Sequence, residues 1–160
     1  WTIHEPHMVL VGSRALLDIK FDKLTGNLDK AKCRVVGQGF SQRPGIDFEE
    51  TYASTPKLST ARIFLFYVVQ HGFLMVEFDI TAAYLHSDLD QPIFMKPPHG
   101  ISKMDSSGRP MIWKLLKSLY GLKQSGHNWM RDLFEFLNGM GLRQSGSDTS
   151  LWKWTKNGKL

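Results

Sequence analysis

Apolar and polar positions alternate partly from Arg14 to Asp22 (ALLDIKFD), as along a half-buried strand. A turn follows at Lys23–Asn27, where Gly26 and Asn27 tolerate positive φ. The run LDKAKCRVVG (Leu28–Gly37) then predicts the returning strand. The spacing of two puts Lys30, Lys32 and Arg34 on one face of it. Residues 37–58 are rich in Gly, Pro and acids (Asp47, Glu49, Glu50) and predict a connector whose acids are solvated or paired. A nearly all-apolar run, ARIFLFYVVQHG, predicts a buried helix capped by Ser59 or Thr60 and stopped at Gly72, although its β-branched content also fits a strand. Phe73–Asp79 predicts a short strand in which Phe78 and Ile80 face away from Asp79. Pro92–Pro98 predicts an edge strand at best, because proline cannot donate to a ladder. Met111–Leu116 is strand-like, and Lys117–Gly126 a basic, turn-rich joint. Ser125 is then a candidate cap for a helix to about Met140. Its stripe of Trp129, Leu133, Phe136, Leu137 and Met140 is a core face, and Gly141 its stop. A final strand is expected over Ser150–Thr155, with a turn at Asn157-Gly158. Residues 1–13 are too irregular to assign.

With 42% hydrophobic and 12% aromatic residues, the 160-residue chain has material for one packed domain or part of one. The net charge of +5 is unevenly spread. Residues 1–43 hold seven Lys/Arg against four Asp/Glu, residues 44–110 five against eight, and residues 111–160 eight against three. An acidic middle between basic flanks fits a cation site bracketed by phosphate-binding surfaces, and equally an ordinary solvated surface. A single cysteine, Cys33, excludes an internal disulfide and a cysteine zinc cluster, and fits a reducing compartment. No run of about 18 apolar residues is present, so no membrane span is expected. The start, Trp1-Thr2-Ile3-His4, lacks an initiator Met and a signal-peptide pattern, which points to a fragment.

Candidate chemistry centres on Val76–Leu89 (VEFDITAAYLHSDL). A carboxylate ending a buried strand is costly unless a cation meets it, so Asp79 is either a metal ligand or a turn residue. The small residues Thr81, Ala82 and Ala83 leave backbone N–H groups open to an anion, and Tyr84 follows with a flat ring. The Lys30–Lys32–Arg34 face is either a solubilised surface or a cationic hairpin that closes over phosphates. Competing motifs are absent: there is no G-x-x-x-x-G-K-[ST], no G-x-G-x-x-G and no G-x-S-x-G. Asp148-Thr149-Ser150 differs in its third residue from the Asp-Thr-Gly of retroviral proteases. The six histidines show no ligand spacing.

Four ordered blocks resemble the reverse transcriptase of copia-type LTR retrotransposons: Lys32–Gln42, Gly45–Ala53, Phe78–His86 and Leu116–Ser125. The resemblance spans almost the whole chain. It implies an α+β fold, the fingers and partial palm of a right-hand polymerase, with an antiparallel sheet packed on helices. All 160 residues then form one truncated domain. Residues 1–58 are the fingers hairpin and connector, 59–100 the helix and first palm strand, and 101–160 the remainder of fingers and palm. The implied reaction is two-metal nucleotidyl transfer with Mg2+, an RNA or DNA template with primer, and deoxynucleoside triphosphates. The resemblance assigns Asp79 as the first catalytic aspartate and metal ligand. Lys32 and Arg34 match residues that contact the triphosphate, and Ala82 and Ala83 present backbone N–H groups to it. Tyr84 matches a steric gate against a ribose 2′-OH, and Tyr120, Gly121 and Gln124 a block lining the nucleotide and template pocket. It also implies integrase and RNase H regions in the same polyprotein, and a cytoplasmic virus-like particle or the nucleus as location.

The chain departs from the family pattern at Gln38 (usually Arg or Lys), at Gly126-His127 (usually Pro-Arg) and at Cys33 (usually Ala). The family's Tyr-Val-Asp-Asp hairpin is expected just beyond Leu160, and Asp88 and Asp90, on a turn after Asp79, do not replace it. These 160 residues are therefore expected to be inactive alone. The alternatives are a non-catalytic nucleic-acid-binding or assembly module derived from such an element, or a remnant without function.

Overall fold

The computed structural model describes residues 1–154; Thr155, at the end of the expected last strand, and the turn at Asn157-Gly158 lie outside the described residues. Two short strands, β1 (Thr2–Ile3) and β2 (Leu10–Val11), precede a long antiparallel hairpin of β3 (Ser13–Phe21) and β4 (Leu28–Gly37). Asp22 builds the hairpin turn by accepting the Leu24 and Thr25 N–H groups at 3.0 and 2.6 Å, and Gly26 supplies a φ of 69°. After the connector come α1 (Leu58–His71), β5 (Phe94–Met95), β6 (Met111–Lys114), α2 (Ser125–Gly139), β7 (Arg143–Gln144) and β8 (Trp152–Lys153).

A four-stranded sheet in the order β1-β6-β5-β2 carries the core. Its β2–β5 pair is parallel, where an antiparallel sheet was expected. Phe94–Met95 is an interior strand rather than an edge, because only two residues pair and Pro92, Pro97 and Pro98 all fall outside them. Val11, Ile93, Met95 and Leu122 form the buried centre, surrounded by Val35, Leu89, Trp113, Leu115 and Leu119.

Backbone hydrogen bonds fix the hairpin to this body at its base, beside the Ser13 hydroxyl on Lys96 O and the Val35 side chain on the buried centre. The Gly37 N–H donates to Tyr120 O at 2.7 Å and the Gly39 N–H to Gly121 O at 3.0 Å. A side chain at Gly121 would run into the Gly37 carbonyl, and its φ of 88° is the left-handed region; glycine answers both constraints.

Three helix expectations are corrected. Neither helix takes its cap from the expected side chain: α1 starts after Lys57 and α2 after Gln124, both without a side-chain cap bond. Ser125 lies inside α2 and spends its hydroxyl on Leu119 O at 2.6 Å. On the α2 stripe, Phe136 and Met140 are exposed; Phe134 instead packs on Trp152 at 5.0 Å between ring centroids. The α1 run is helical, which settles the strand alternative, but it has no buried residue.

The expected strand Phe73–Asp79 is not a strand. It has no ladder partner among the described residues, and Leu74, Val76 and Phe78 are 97%, 83% and 81% exposed. Alternation sets which face a side chain takes, but a ladder requires a second strand, and here none lies beside it.

Asp148 holds the start of α1. Its Oδ2 accepts the Lys57 N–H at 3.0 Å and its Oδ1 the Ser150 N–H at 2.9 Å, while Lys57 Nζ donates to Ser147 O at 3.0 Å. The Thr60 hydroxyl, then the Lys57 and Ser150 N–H groups, hold the Asp148 carboxyl down to about 2 from an ordinary 3.8. A depressed carboxyl stabilises the fold fully above its unfolded value and loses that contribution as pH falls through its folded one. The side-chain carboxyl 13C shift of Asp148 is therefore expected to titrate with a midpoint near 2. A midpoint near 3.8 contradicts the clamp.

Candidate active site

The predicted site residues fall into two groups. Tyr84, Tyr120, Gly121 and Gln124 gather at the hairpin base, while Lys32 and Arg34 stand out along the hairpin and Asp79 lies on the exposed 73–80 segment.

Three residues after Asp79 the chain turns sharply. Ala82 has a φ of 55°, the one positive φ at a non-glycine among the described residues. Such a conformation costs on the order of 1–3 kcal/mol and persists where the surroundings over-determine it. It starts a single 3-10 turn, Ala83–His86, closed by the Leu85 N–H on Ala82 O at 2.8 Å. The turn leaves Ala82 and Ala83 half-buried and presents Tyr84 to Tyr120, with ring centroids 4.9 Å apart at 47°. Gly126 borders the same spot: a Cβ there would lie 3.2 Å from Ala53 Cβ and 3.9 Å from the Tyr84 hydroxyl.

Gln124 is 4% exposed and its amide is engaged within the protein. Its Oε1 accepts Gln42 Nε2 at 3.0 Å, and its Nε2 donates to Asp47 O at 3.2 Å. Gln42 Oε1 in turn accepts the Lys123 N–H at 2.9 Å. The pair latches the 39–47 loop onto the start of α2, and Arg43 closes that loop on Asp47 at 3.2 Å. Gln42 was not singled out in the sequence, since nothing local marks a glutamine whose partner lies 82 residues away.

On the hairpin, register adds what spacing did not. Lys32 lies opposite Asp18 and Lys30 opposite Lys20, so Lys20 joins Lys30, Lys32 and Arg34 on one face, with Arg14 two steps nearer the base than Leu16. Arg34 pairs loosely with Asp18 at 3.9 Å. The Lys20–Lys30 pair places like charges directly across the ladder, an arrangement that destabilises a hairpin unless an anion joins them. The other face carries Leu17, Ile19 and Phe21, all exposed. Asp88 and Asp90 are exposed and ion-paired, to Lys117 and Arg131, each at 2.6 Å.

Among the described residues no group of three or more His, Cys, Asp or Glu is placed to hold a metal ion. Asp79 by itself does not complete the shell that a magnesium ion requires. Nor is any described helix long and apolar enough to cross a membrane.

A reverse transcriptase (RNA-dependent DNA polymerase) family profile matches residues 8–159. The chain belongs to the reverse transcriptase family. It is 35% identical over 156 residues to the retrovirus-related Pol polyprotein from transposon RE1 of Arabidopsis thaliana, covering 95% of this chain and 10% of that protein. It is 32% identical over 125 residues to the corresponding polyprotein from transposon TNT 1-94 of Nicotiana tabacum, covering 78% and 9%. The transposon Ty1-DR4 Gag-Pol polyprotein of Saccharomyces cerevisiae is 31% identical over 111 residues, covering 66% and 6%. No solved structure matches. The chain is thus a copia-type reverse transcriptase domain segment spanning about a tenth of the curated relatives it matches. Membership in this family implies a divalent cation and a nucleic-acid template in general terms.

Replacing Gln124 by Leu leaves the buried Gln42 amide and the Asp47 carbonyl short of a partner. The expected loss is about 1–3 kcal/mol in urea unfolding. The Gln42→Leu/Gln124→Leu double variant should cost less than the sum of the single ones. Strict additivity rules out the latch.

Proposed function

We propose that this chain is the fingers and part of the palm of an RNA-directed DNA polymerase, within an α+β right-hand architecture. The observation that carries this reading is the packing of Tyr84 on Tyr120 at the base of the cationic hairpin, five residues after Asp79. In it the incoming deoxynucleoside triphosphate sits against Tyr84, whose ring excludes a ribose 2′-OH. The half-buried Ala82 and Ala83 face its phosphates; neither N–H donates a backbone hydrogen bond among the described residues. Lys32 and Arg34 neutralise phosphate charge from the hairpin. Gln124 acts one step back, by holding the loop that frames the pocket.

Asp79 contributes one carboxylate toward Mg2+ in the complete domain, and the remaining ligands come from chain outside these 160 residues. The exposed apolar row Leu74, Val76 and Phe78 supports this, since alternating apolar side chains left in solvent suit a segment that pairs with further chain. The relatives' length leaves room for integrase and RNase H regions in the same polyprotein, with the cytoplasmic virus-like particle or nucleus as its location. A non-catalytic nucleic-acid-binding module is the second reading, favoured by the lack of a metal-holding group among the described residues.

Asp79→Asn separates the two. In the longer protein, primer extension should fall about a thousandfold, the scale of losing several kcal/mol of charge stabilisation. The 160-residue chain should extend no primer. Retained extension in Asp79→Asn sinks the catalytic reading.

The hairpin face generates a second expectation. Lys20→Gln/Lys30→Gln should weaken oligonucleotide binding without regard to sequence and lower the log–log salt slope by about 1–2. An unchanged slope means that this face touches no phosphate.

A further inference from the structure

Asp148-Thr149-Ser150, the stretch with no place in the polymerase reading, is where the structure ties α1 to the rest of the chain. The helix begins without a cap of its own and takes one from 91 residues downstream, through the Asp148 carboxylate on the Lys57 N–H. The tie is wider than one bond. Ser54 Oγ, just ahead of the helix, lies 2.6 Å from Thr149 Oγ1 and 2.7 Å from Ser150 Oγ, and Lys57 Nζ reaches Ser147 O. Asp148 itself is 5% exposed. Side-chain packing adds less than this tie, for α1 buries none of its residues and faces β8 across a wide apolar groove lined by Ile63, Phe64, Tyr67, Trp152 and Trp154.

The other end of α1 carries the Asp79 segment. Gly72 closes the helix in the left-handed conformation, the Phe73 N–H donates to Val68 O at 3.0 Å, and the Phe73 ring packs on Tyr67 and His71 at 5.8 and 5.6 Å. Leu74–Phe78 then wall a cavity together with Phe64, so the segment runs back beside the helix. No backbone hydrogen bond involves residues 74–80 among the described residues. Asp79 is thus held from two sides, by the 3-10 turn that follows it and by α1 ahead of it, and the clamp sets the α1 side.

We propose that Asp148 is a positioning residue for the Asp79 carboxylate, acting through α1; the proposal rests on the polymerase reading. The 14-residue helix is about 21 Å long, so a tilt of about 10° at an unclamped N-terminus displaces its far end by about 4 Å. A catalytic constellation tolerates about 0.5 Å. The clamp touches none of Lys20, Lys32, Arg34, Tyr84 or Tyr120, so nucleic-acid and nucleotide contacts are spared when it is lost.

The test uses the full-length protein with Asp148→Ala, and with Asp148→Asn, which keeps one acceptor oxygen. Two readouts are taken: amide hydrogen exchange over residues 57–61, and single-nucleotide incorporation with primer–template Kd measured alongside. Asp148→Ala should speed first-turn exchange at least tenfold and lower kcat at least tenfold, with KM for the nucleotide and primer–template Kd within twofold. Asp148→Asn should fall between the wild type and Asp148→Ala in both, and carries the test if Asp148→Ala does not fold. Faster exchange with unchanged kcat reduces the clamp to a local cap and overturns the proposal, as does equal loss of kcat and primer–template affinity. If the wild type incorporates nothing, the polymerase reading falls and this proposal with it; unchanged exchange in Asp148→Ala overturns the clamp whatever the activity.

Discussion

Two backbone hydrogen bonds hold this domain segment in its working shape. The Gly37 and Gly39 N–H groups reach the carbonyls of Tyr120 and Gly121, drawing chain segments 83 and 82 residues apart close enough that no side chain fits between them. A direct main-chain seam fixes the hairpin's direction more tightly than side-chain packing does, since neither partner has a rotamer to change. Everything placed at the pocket hangs on it: Tyr120 is presented to Tyr84 from one side of the seam, and the cationic face of β3 and β4 rises from the other. The Gln42–Gln124 latch buttresses the same junction.

Away from the seam the segment is loosely held. The buried centre is four apolar side chains on a sheet of two- to four-residue strands, while α1 and residues 73–80 expose apolar surface on a scale that marks an interaction face. The family assignment gives this a physical setting, since the relatives are about ten times longer than the stretch they share with this chain. Residues 73–80, with alternating apolar side chains and no ladder among the described residues, have the pattern of a strand without the pairing.

How far the sequence spoke for itself depended on the distance over which each signal acts. Turn chemistry at Lys23–Asn27 and the two-residue spacing of Lys30, Lys32 and Arg34 are local, and the hairpin follows them. The helix stops at Gly72 and Gly141 are equally local, and both residues take positive φ. The apolar run of α1 marked a helix but not its surroundings, because an all-round apolar pattern states only that burial is wanted somewhere. Caps misled for the same reason. Ser59 and Thr60 stood ready in the sequence, yet Asp148 took the position from far along the chain, and the Asp-Thr-Ser stretch that resembled a protease motif proved to be that cap. The Lys20–Lys30 juxtaposition needed register, which no single strand encodes. The site residues themselves were named through family resemblance. The structure gathers Tyr84, Tyr120, Gly121 and Gln124 and leaves Asp79 outside.

The central claim is that a nucleotide sugar lies against Tyr84 at the hairpin base. The most direct measurement is the ratio of kcat/KM for a deoxynucleotide to that for its ribonucleotide, in the full-length protein and in Tyr84→Ala. The account predicts that the preference for the deoxynucleotide falls by about tenfold or more in Tyr84→Ala, the scale of a lost steric contact, mainly through faster ribonucleotide use. A ratio unchanged by the substitution contradicts it.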